Sequence, residues 1–343
     1  MINLGVIGLG MMGLTHLDVY AGLATAKVVA IADADAGRRN GTVQARGNVE
    51  GQAQGRFDVA SVKGYADGLD LIRDPLVQMV DICLPTPLHH RFALAALEAG
   101  KHVLVEKPLA RTSADAFAIA DAADRAFEKQ GVLAMPAMCM RFWPGWTWLK
   151  QAVSDRRYGK VLAAKFTRLA SHPGGAFYQS AEASGAAALD LHIHDTDFIR
   201  HCFGPPRAVR SIGYSKVTGG VDHLLTHYLF DDIPLVTAEG GWCMAAGFPF
   251  QMRYLVNFER ATAVFDASAA SPLTLYQDGK VEPVPLGKES GYQGEIEYFL
   301  DCIAAQRRPE TVTLREGAEA VRIVEAEVES LRTGSACPLP QTR

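Results

Sequence analysis

Apolar residues fall along the chain in two rhythms. Through about residue 136, short apolar runs at 2–7, 27–32, 79–84, 102–106 and 132–136 alternate with helical periodicity, clearest at 11–23, 90–99 and 113–129. Short continuous runs predict strands buried on both faces, and their alternation with helices predicts a parallel sheet with right-handed crossovers. Beyond that point, runs at 165–170, 208–213, 224–230, 235–240, 252–258 and 262–265 are separated by Gly, Pro and Asp turns. Few helices intervene, which predicts an antiparallel or mixed sheet. One helical stretch, 186–203, interrupts this half and is closed by Gly204-Pro205-Pro206. Amphipathic stretches at 295–305 and 315–332 predict helices that cover the larger sheet or tie the halves together. The poorly periodic 40–63 reads as a helix end and surface loop. A length prior of ~150 residues per domain makes the 343-residue chain two domains, 1–130 and 131–343, with the final helices free to pack on both.

Composition narrows the function classes. A formal net charge of −4 gives no electrostatic case for nucleic acid or an anionic membrane. No apolar run approaches the ~18 residues of a membrane span, and Met1 leads almost directly into a strand with no room for a signal peptide. A cytoplasmic protein is expected. Six cysteines are scattered without a C-x-x-C pair, so their spacing indicates neither a zinc site nor a disulfide framework.

The first run is followed by Gly8-Leu9-Gly10-Met11-Met12-Gly13, a G-x-G-x-x-G between a strand and a helix. Gly8 permits the tight turn, Gly10 lets the backbone approach a pyrophosphate, and Gly13 allows close helix–strand packing. The helix start at Met11 and Met12 offers free N–H groups to phosphates. Asp33 ends the next strand, 20 residues beyond Gly13, where a carboxylate accepts the ribose hydroxyls of a dinucleotide. Its charge favours NAD over NADP, although Arg38 and Arg39 could reach a 2′-phosphate. Thr86 and Pro87 follow another strand, beside the cofactor in a doubly wound sheet; His89 and His90 read equally as helix caps or ligand contacts.

The run His102-Val103-Leu104-Val105-Glu106 stops at Lys107-Pro108, because proline has no N–H and disfavours helical geometry before it. Lys107 therefore sits at the ligand edge of a dinucleotide-binding sheet. Arg141, Phe142, Trp143 and Trp146 beside Pro144 and Gly145 could line a sugar-binding face or plug a domain junction. The densest titratable cluster is Asp190-Leu191-His192-Ile193-His194-Asp195-Thr196-Asp197. At helical spacing Asp190, His194 and Asp197 share one face, and His192 and Asp195 another. Asp190 and His194 meet the needs of proton transfer without further assumption, and no metal is inferred.

Gly8–Gly13, Asp33, Thr86-Pro87 with His90, Glu106-Lys107-Pro108 and Asp190-x-x-x-His194 together resemble the glucose–fructose oxidoreductase/inositol dehydrogenase (Gfo/Idh/MocA) family over nearly the whole chain. The resemblance implies a Rossmann domain, with Glu106 and His90 on the cofactor side. It further implies a carboxyl-terminal α+β domain with a large, mainly antiparallel open sheet whose face often mediates oligomerisation, so a homo-dimer or tetramer is expected. Lys107 would contact the reacting hydroxyl and the nicotinamide side, Asp190 would orient the substrate, and His194 would be the general base. Arg141, Trp143 and Tyr292 are added as substrate contacts. His192 departs from the family, which commonly has a small residue there; it could narrow the pocket, touch substrate or pack.

Three functions are compatible with these expectations. The leading one is an NAD-dependent dehydrogenase acting on a secondary hydroxyl of a sugar, sugar derivative or cyclic polyol. The alternatives are a glycosidase or lyase with transient internal redox, and a non-catalytic NAD- or sugar-sensing regulator.

Overall fold

The computed structural model describes residues 1–43 and 55–340. The chain divides into two compact units: Met1–Cys139 with Ser290–Ala318, and Met140–Glu289 with Glu319–Arg343. The first therefore runs past the expected 1–130 and takes in a helix from the far end of the sequence.

In the first unit, strands β1 (Ile2–Ile7), β2 (Ala26–Ala32), β3 (Lys63–Tyr65), β4 (Met79–Ile82), β5 (His102–Glu106) and β6 (Ala134–Ala137) form one sheet in the order 3-2-1-4-5-6. Every pairing is parallel. β4 is buried throughout and β5 at all but its first residue, as continuous apolar runs covered on both faces must be. Helix Ser113–Gln130 shows why the boundaries fall where they do: the Thr112 side chain accepts the Asp115 N–H at 3.1 Å, and Gly131 ends it at φ +69°. Helix Gly291–Ala304 packs on helix Met11–Tyr20 and on β6. Of the stretch 40–63 read as loop, 44–54 lie outside the described residues; its end forms a turn at Val59–Ser61 and the first residue of β3.

The second unit holds a nine-stranded open sheet. Its strands are β7 (Val161–Ser171), β8 (Ala208–Tyr214), β9 (His223–Leu229), β10 (Leu235–Met244), β11 (Gln251–Phe258), β12 (Thr262–Asp266), β13 (Leu273–Gln277), β14 (Lys280–Pro283) and β15 (Cys337–Pro338), ordered 14-13-12-11-7-10-9-8-15. Among the described residues, only β7 and β10 pair in parallel. β9, β11 and β12 alternate buried and outward residues, the period-2 pattern of a sheet covered on one face. Three strands of this sheet were not foreseen, β13, β14 and the short β15; the first two flank Asp278-Gly279, both at positive φ, a type of turn that favours a tight hairpin.

The core of the covered face centres on Trp146, in helix Pro144–Ser154. Its ring lies 4.8–5.6 Å from those of Phe198, Tyr254 and Phe166. Gly145 is required beneath it, since a Cβ there would come within 2.4 Å of the Phe265 ring. The aromatic run around 142–146 thus supplies core to the second unit. Helix Leu314–Thr333 gives its first turn to the first unit and the rest to the second.

Candidate functional site

Parallel pairing brings the carboxyl ends of β1, β4 and β5 to one edge of the first sheet. The glycine loop leaves β1 there. Gly8 has φ +94° and a Cβ on it would lie 2.5 Å from the Cys83 carbonyl oxygen; one on Gly13 would lie 1.9 Å from the Gly8 carbonyl oxygen. Those two glycines are demanded by the fold itself. Gly10 is different: a Cβ there meets nothing within 4 Å, so its absence leaves room for a ligand to approach the backbone. Gly10 also caps helix Met11–Tyr20 without a side-chain bond. The helix start beside Met11 and Met12 therefore presents its N–H dipoles as an anion site, which fits a dinucleotide pyrophosphate.

Asp33, directly after β2, is seated against that loop. Its Oδ2 accepts the Leu9 N–H at 2.8 Å and its Oδ1 accepts the Asp35 N–H at 2.8 Å. Arg38 Nη1 stands 3.6 Å from Oδ2, while Arg39 donates to the carbonyl oxygens of Asp33 and Ala34 at 2.5 and 3.1 Å. Both arginines are thus engaged with the Asp33 turn.

Lys107 follows β5 at the same edge, half-buried and joined to Pro108 by a cis peptide bond. Thr86 is buried and Pro87 exposed. Of the two histidines after them, His89 is the buried one. Its Nδ1 and Nε2 lie 2.8 Å from the Pro108 and 2.7 Å from the Leu84 carbonyl oxygens, and burial lowers its pKa. It bridges the loops after β4 and β5, whereas His90, expected at the cofactor, is simply half-buried at the helix start. Glu106, also expected on the cofactor side, is turned inward. Its Oε2 accepts the Lys107 N–H at 2.8 Å and its Oε1 is 3.2 Å from His16 Nε2.

In the second unit the titratable segment is not one regular helix. Gly185 and Ala186 both take positive φ, the latter uncommon for a residue with a side chain. A π-helical turn, Ala188–His192, precedes the α-helix Ile193–Phe203. Such a turn inserts a residue and shifts the helical phase of the residues after it, and it recurs at functional sites. Asp190 and His194 remain half-buried. The others are committed elsewhere, which corrects the expected grouping. Asp197 takes two bonds from Arg141, at 2.9 and 2.6 Å, and both side chains are buried. Arg141 is therefore part of a structural ion pair, not of a substrate surface. Asp195 is likewise bidentate to Arg168, at 2.8 and 3.0 Å. His192 is fully buried: it lies where a Cβ on Gly240 would be 2.5 Å from its Nδ1, and its Nε2 is 3.1 Å from Tyr228 Oη. Trp143, in the second unit, and Tyr292, in the first, are half-buried.

One constellation in the first unit escaped the sequence reading. His16 Nδ1 is 2.9 Å from Asp81 Oδ2, which also accepts the Tyr20 hydroxyl at 2.9 Å. Glu295 Oε1 is 3.9 Å from His16 Nε2. The detectable signal was Asp81, a carboxylate inside the four-residue buried strand Met79–Ile82, where a charge needs a partner.

Comparison with known proteins agrees with this architecture. A family profile described as "Oxidoreductase family, NAD-binding Rossmann fold" matches residues 2–134, and one described as "GFO/IDH/MocA C-terminal domain" matches 146–264. Levoglucosan dehydrogenase of Pseudarthrobacter phenanthrenivorans is 30% identical over 247 residues, 66% of this chain but only 58% of that protein. Inositol 2-dehydrogenase 2 of Saccharopolyspora erythraea is 27% identical over 98% of this chain and 95% of its own. Among solved structures, a levoglucosan dehydrogenase in complex with NADH and levoglucosan has TM-score 0.82 at 23% identity, covering 99% of this chain and 100% of that one, a likeness of fold. With both family domains matched in order across most of its length, and a glycine loop, Asp33 and Lys107 on one sheet edge, the chain belongs to the Gfo/Idh/MocA oxidoreductase family, whose amino-terminal domain is an NAD-binding Rossmann fold.

Proposed function

We propose that this oxidoreductase oxidises a secondary hydroxyl of a sugar, sugar derivative or cyclic polyol, taking hydride from the carbon that bears it, with Lys107, Asp190 and His194 as its catalytic set. The observation that carries the reading is the shared edge: glycine loop and Lys107 leave the carboxyl ends of β1 and β5, on either side of β4. A dinucleotide held by the loop and a cationic side chain thereby face the same crevice. The polyol class is supported by the near full-length likeness to an inositol 2-dehydrogenase.

NAD, when bound, supplies the hydride acceptor. The chain supplies the rest. Backbone N–H groups at Gly10–Gly13 hold phosphate, with Met11 and Met12 at the helix start and Thr86 and Pro87 lining the edge. Asp33 receives ribose hydroxyls and repels a 2′-phosphate, which favours NAD over NADP because Arg38 and Arg39 are already turned to Asp33 and its neighbours. His194 takes the hydroxyl proton, an imidazole being suited to this near neutral pH. The Lys107 ammonium stabilises the developing alkoxide, and Asp190 orients the substrate. Trp143 and Tyr292 are the remaining candidates for substrate contact. A homo-oligomer would form through the open sheet face, where Ile212, Leu255 and Tyr276 are exposed.

The test is nicotinamide absorbance with NAD or NADP against inositols, aldoses, sugar acids and glycosides, levoglucosan included. Steady NADH formation is expected, and Lys107→Ala and His194→Ala should each lose roughly 100- to 10,000-fold in turnover with NAD binding kept. Glycoside cleavage without net reduction would replace this reading with internal redox, and NAD binding without any turnover would replace it with a regulator.

A further inference from the structure

We propose that His16 is a positioning residue for Lys107, linking Asp81 of β4 to Glu106 of β5 so that Glu106 holds the Lys107 backbone in place. The inference rests on the catalytic role of Lys107 proposed above.

The link runs through one hydrogen bond, one close ion pair and one backbone hydrogen bond. His16 is fully buried, three residues beyond Gly13 on the helix that begins at the glycine loop. Its Nδ1 is 2.9 Å from Asp81 Oδ2 and its Nε2 is 3.2 Å from Glu106 Oε1. The other Glu106 oxygen accepts the Lys107 N–H at 2.8 Å. A carboxylate bonded to the N–H of the next residue is a short, local contact that leaves the side chain free to swing. Fixing its second oxygen on a neighbouring element removes that freedom. Pro108 has no N–H, so the Lys107 amide is the last donor before the chain turns. The same helix also presents its amino terminus to phosphate, so cofactor seat and lysine share one rigid reference.

Charge fits this arrangement. Asp81, Glu106 and Glu295 are all buried around one imidazole, and three ionised carboxylates with a neutral ring would be untenable there. An imidazolium hydrogen-bonds Asp81 through Nδ1 and sets its positive charge against Glu106, whose Oε1 lies 3.2 Å from Nε2 as an ion pair outside hydrogen-bonding geometry. Burial opposes that form, but Asp81 and Cys83 push the His16 pKa well above its usual value. Glu295, whose two oxygens have no hydrogen-bond partner among the described residues, has its pKa raised well above the usual value by burial and then by the Glu106 charge.

The experiment measures turnover with the panel compound of highest NADH rate, and NAD affinity by calorimetry, in His16→Asn, His16→Gln and Glu106→Gln. Asparagine reaches only the Asp81 side, whereas the glutamine amide can reach Glu106. His16→Asn should lower kcat about ten- to a hundredfold with NAD Kd changed less than about threefold, since displacement of a reacting group by ~1 Å costs that much. His16→Gln should recover part of the loss, and His16→Asn with Glu106→Gln should be no slower than the slower single variant. If His16→Asn does not fold, Glu106→Gln carries the test with the same expected split. Unchanged kcat in the folded variants would overturn the proposal, as would a kcat loss matched by equal loss of NAD affinity. So would one tightly bound divalent metal per chain by elemental analysis, since His16 Nε2, Glu106 and Glu295 would then ligate the ion. A Lys107→Ala enzyme that still turns over would instead remove the parent reading.

Discussion

Glu327 lies in helix Leu314–Thr333, fully buried under the covered face of the larger sheet. Its Oε1 accepts the Thr196 hydroxyl at 3.1 Å, Thr196 Oγ1 lies 2.9 Å from Tyr228 Oη, and that hydroxyl is 3.1 Å from His192 Nε2. Burial lifts the Glu327 pKa from 4.5 to about 8 against the lowering effect of those hydroxyls, with Asp195 adding to the rise. Burial, then Arg168 and His223, lowers the His192 pKa to about 3. Near neutral pH the network therefore carries no charge. An acid whose folded-state pKa exceeds its unfolded one holds its proton better when folded, so stability falls as pH rises from the unfolded value and levels off above the folded one. The full shift corresponds to roughly 5 kcal/mol, of which roughly 2–3 kcal/mol is lost between about pH 6 and about pH 9. Glu327→Gln keeps the shape without the ionisation and should flatten that dependence. All four tryptophans, Trp143, Trp146, Trp148 and Trp242, lie in the second unit, so urea unfolding followed by tryptophan fluorescence reads the relevant structure. Equal pH slopes for the two proteins across that range would refute the reasoning.

Three further outcomes are expected. Arg141→Met should cost roughly 3–5 kcal/mol in unfolding free energy by stranding buried Asp197, and adding Asp197→Leu should restore much of it; a normal melting curve with a raised KM would instead return Arg141 to the substrate surface. Gly240→Ala should cost about 1–3 kcal/mol through its clash with the buried His192 ring, and a double-mutant cycle with His192→Ala should show the cost relieved. Gly10→Ala should fold normally yet weaken NAD binding about tenfold or more, while Gly13→Ala should lower the melting temperature outright; the same behaviour from both would contradict the distinct surroundings of the two glycines.

Local chemistry was legible wherever one stretch of chain carries its own constraint. Gly8, Gly10 and Gly13 sit between a strand and a helix, Asp33 ends the following strand, and Lys107 precedes a proline that must terminate β5. The parallel sheet of the first unit and the mainly antiparallel sheet of the second were readable from strands that alternate with helices against strands separated only by turns, because a parallel connection needs a long crossover and an antiparallel one does not.

What the sequence could not decide was which way a polar side chain faces once distant segments meet. His192, Asp195 and Asp197 stood in the densest titratable cluster, and Arg141 beside aromatics in a stretch that resembles a substrate pocket. Their partners, Asp197, Arg168, Arg141 and Tyr228, are supplied by elements up to 56 residues away. The π-helical turn at Ala188–His192 left no mark in a helical periodicity and altered the phase of the segment. His16, Asp81, Glu106 and Glu295 are 279 residues apart at their extremes and meet only because helix Gly291–Ala304 returns to the first unit. Periodicity and turn chemistry are set by neighbours along the chain, so the sequence alone determines the two sheets and the glycine loop. The pairing of buried charges depends on desolvation by residues remote in sequence, and only the tertiary structure decides it.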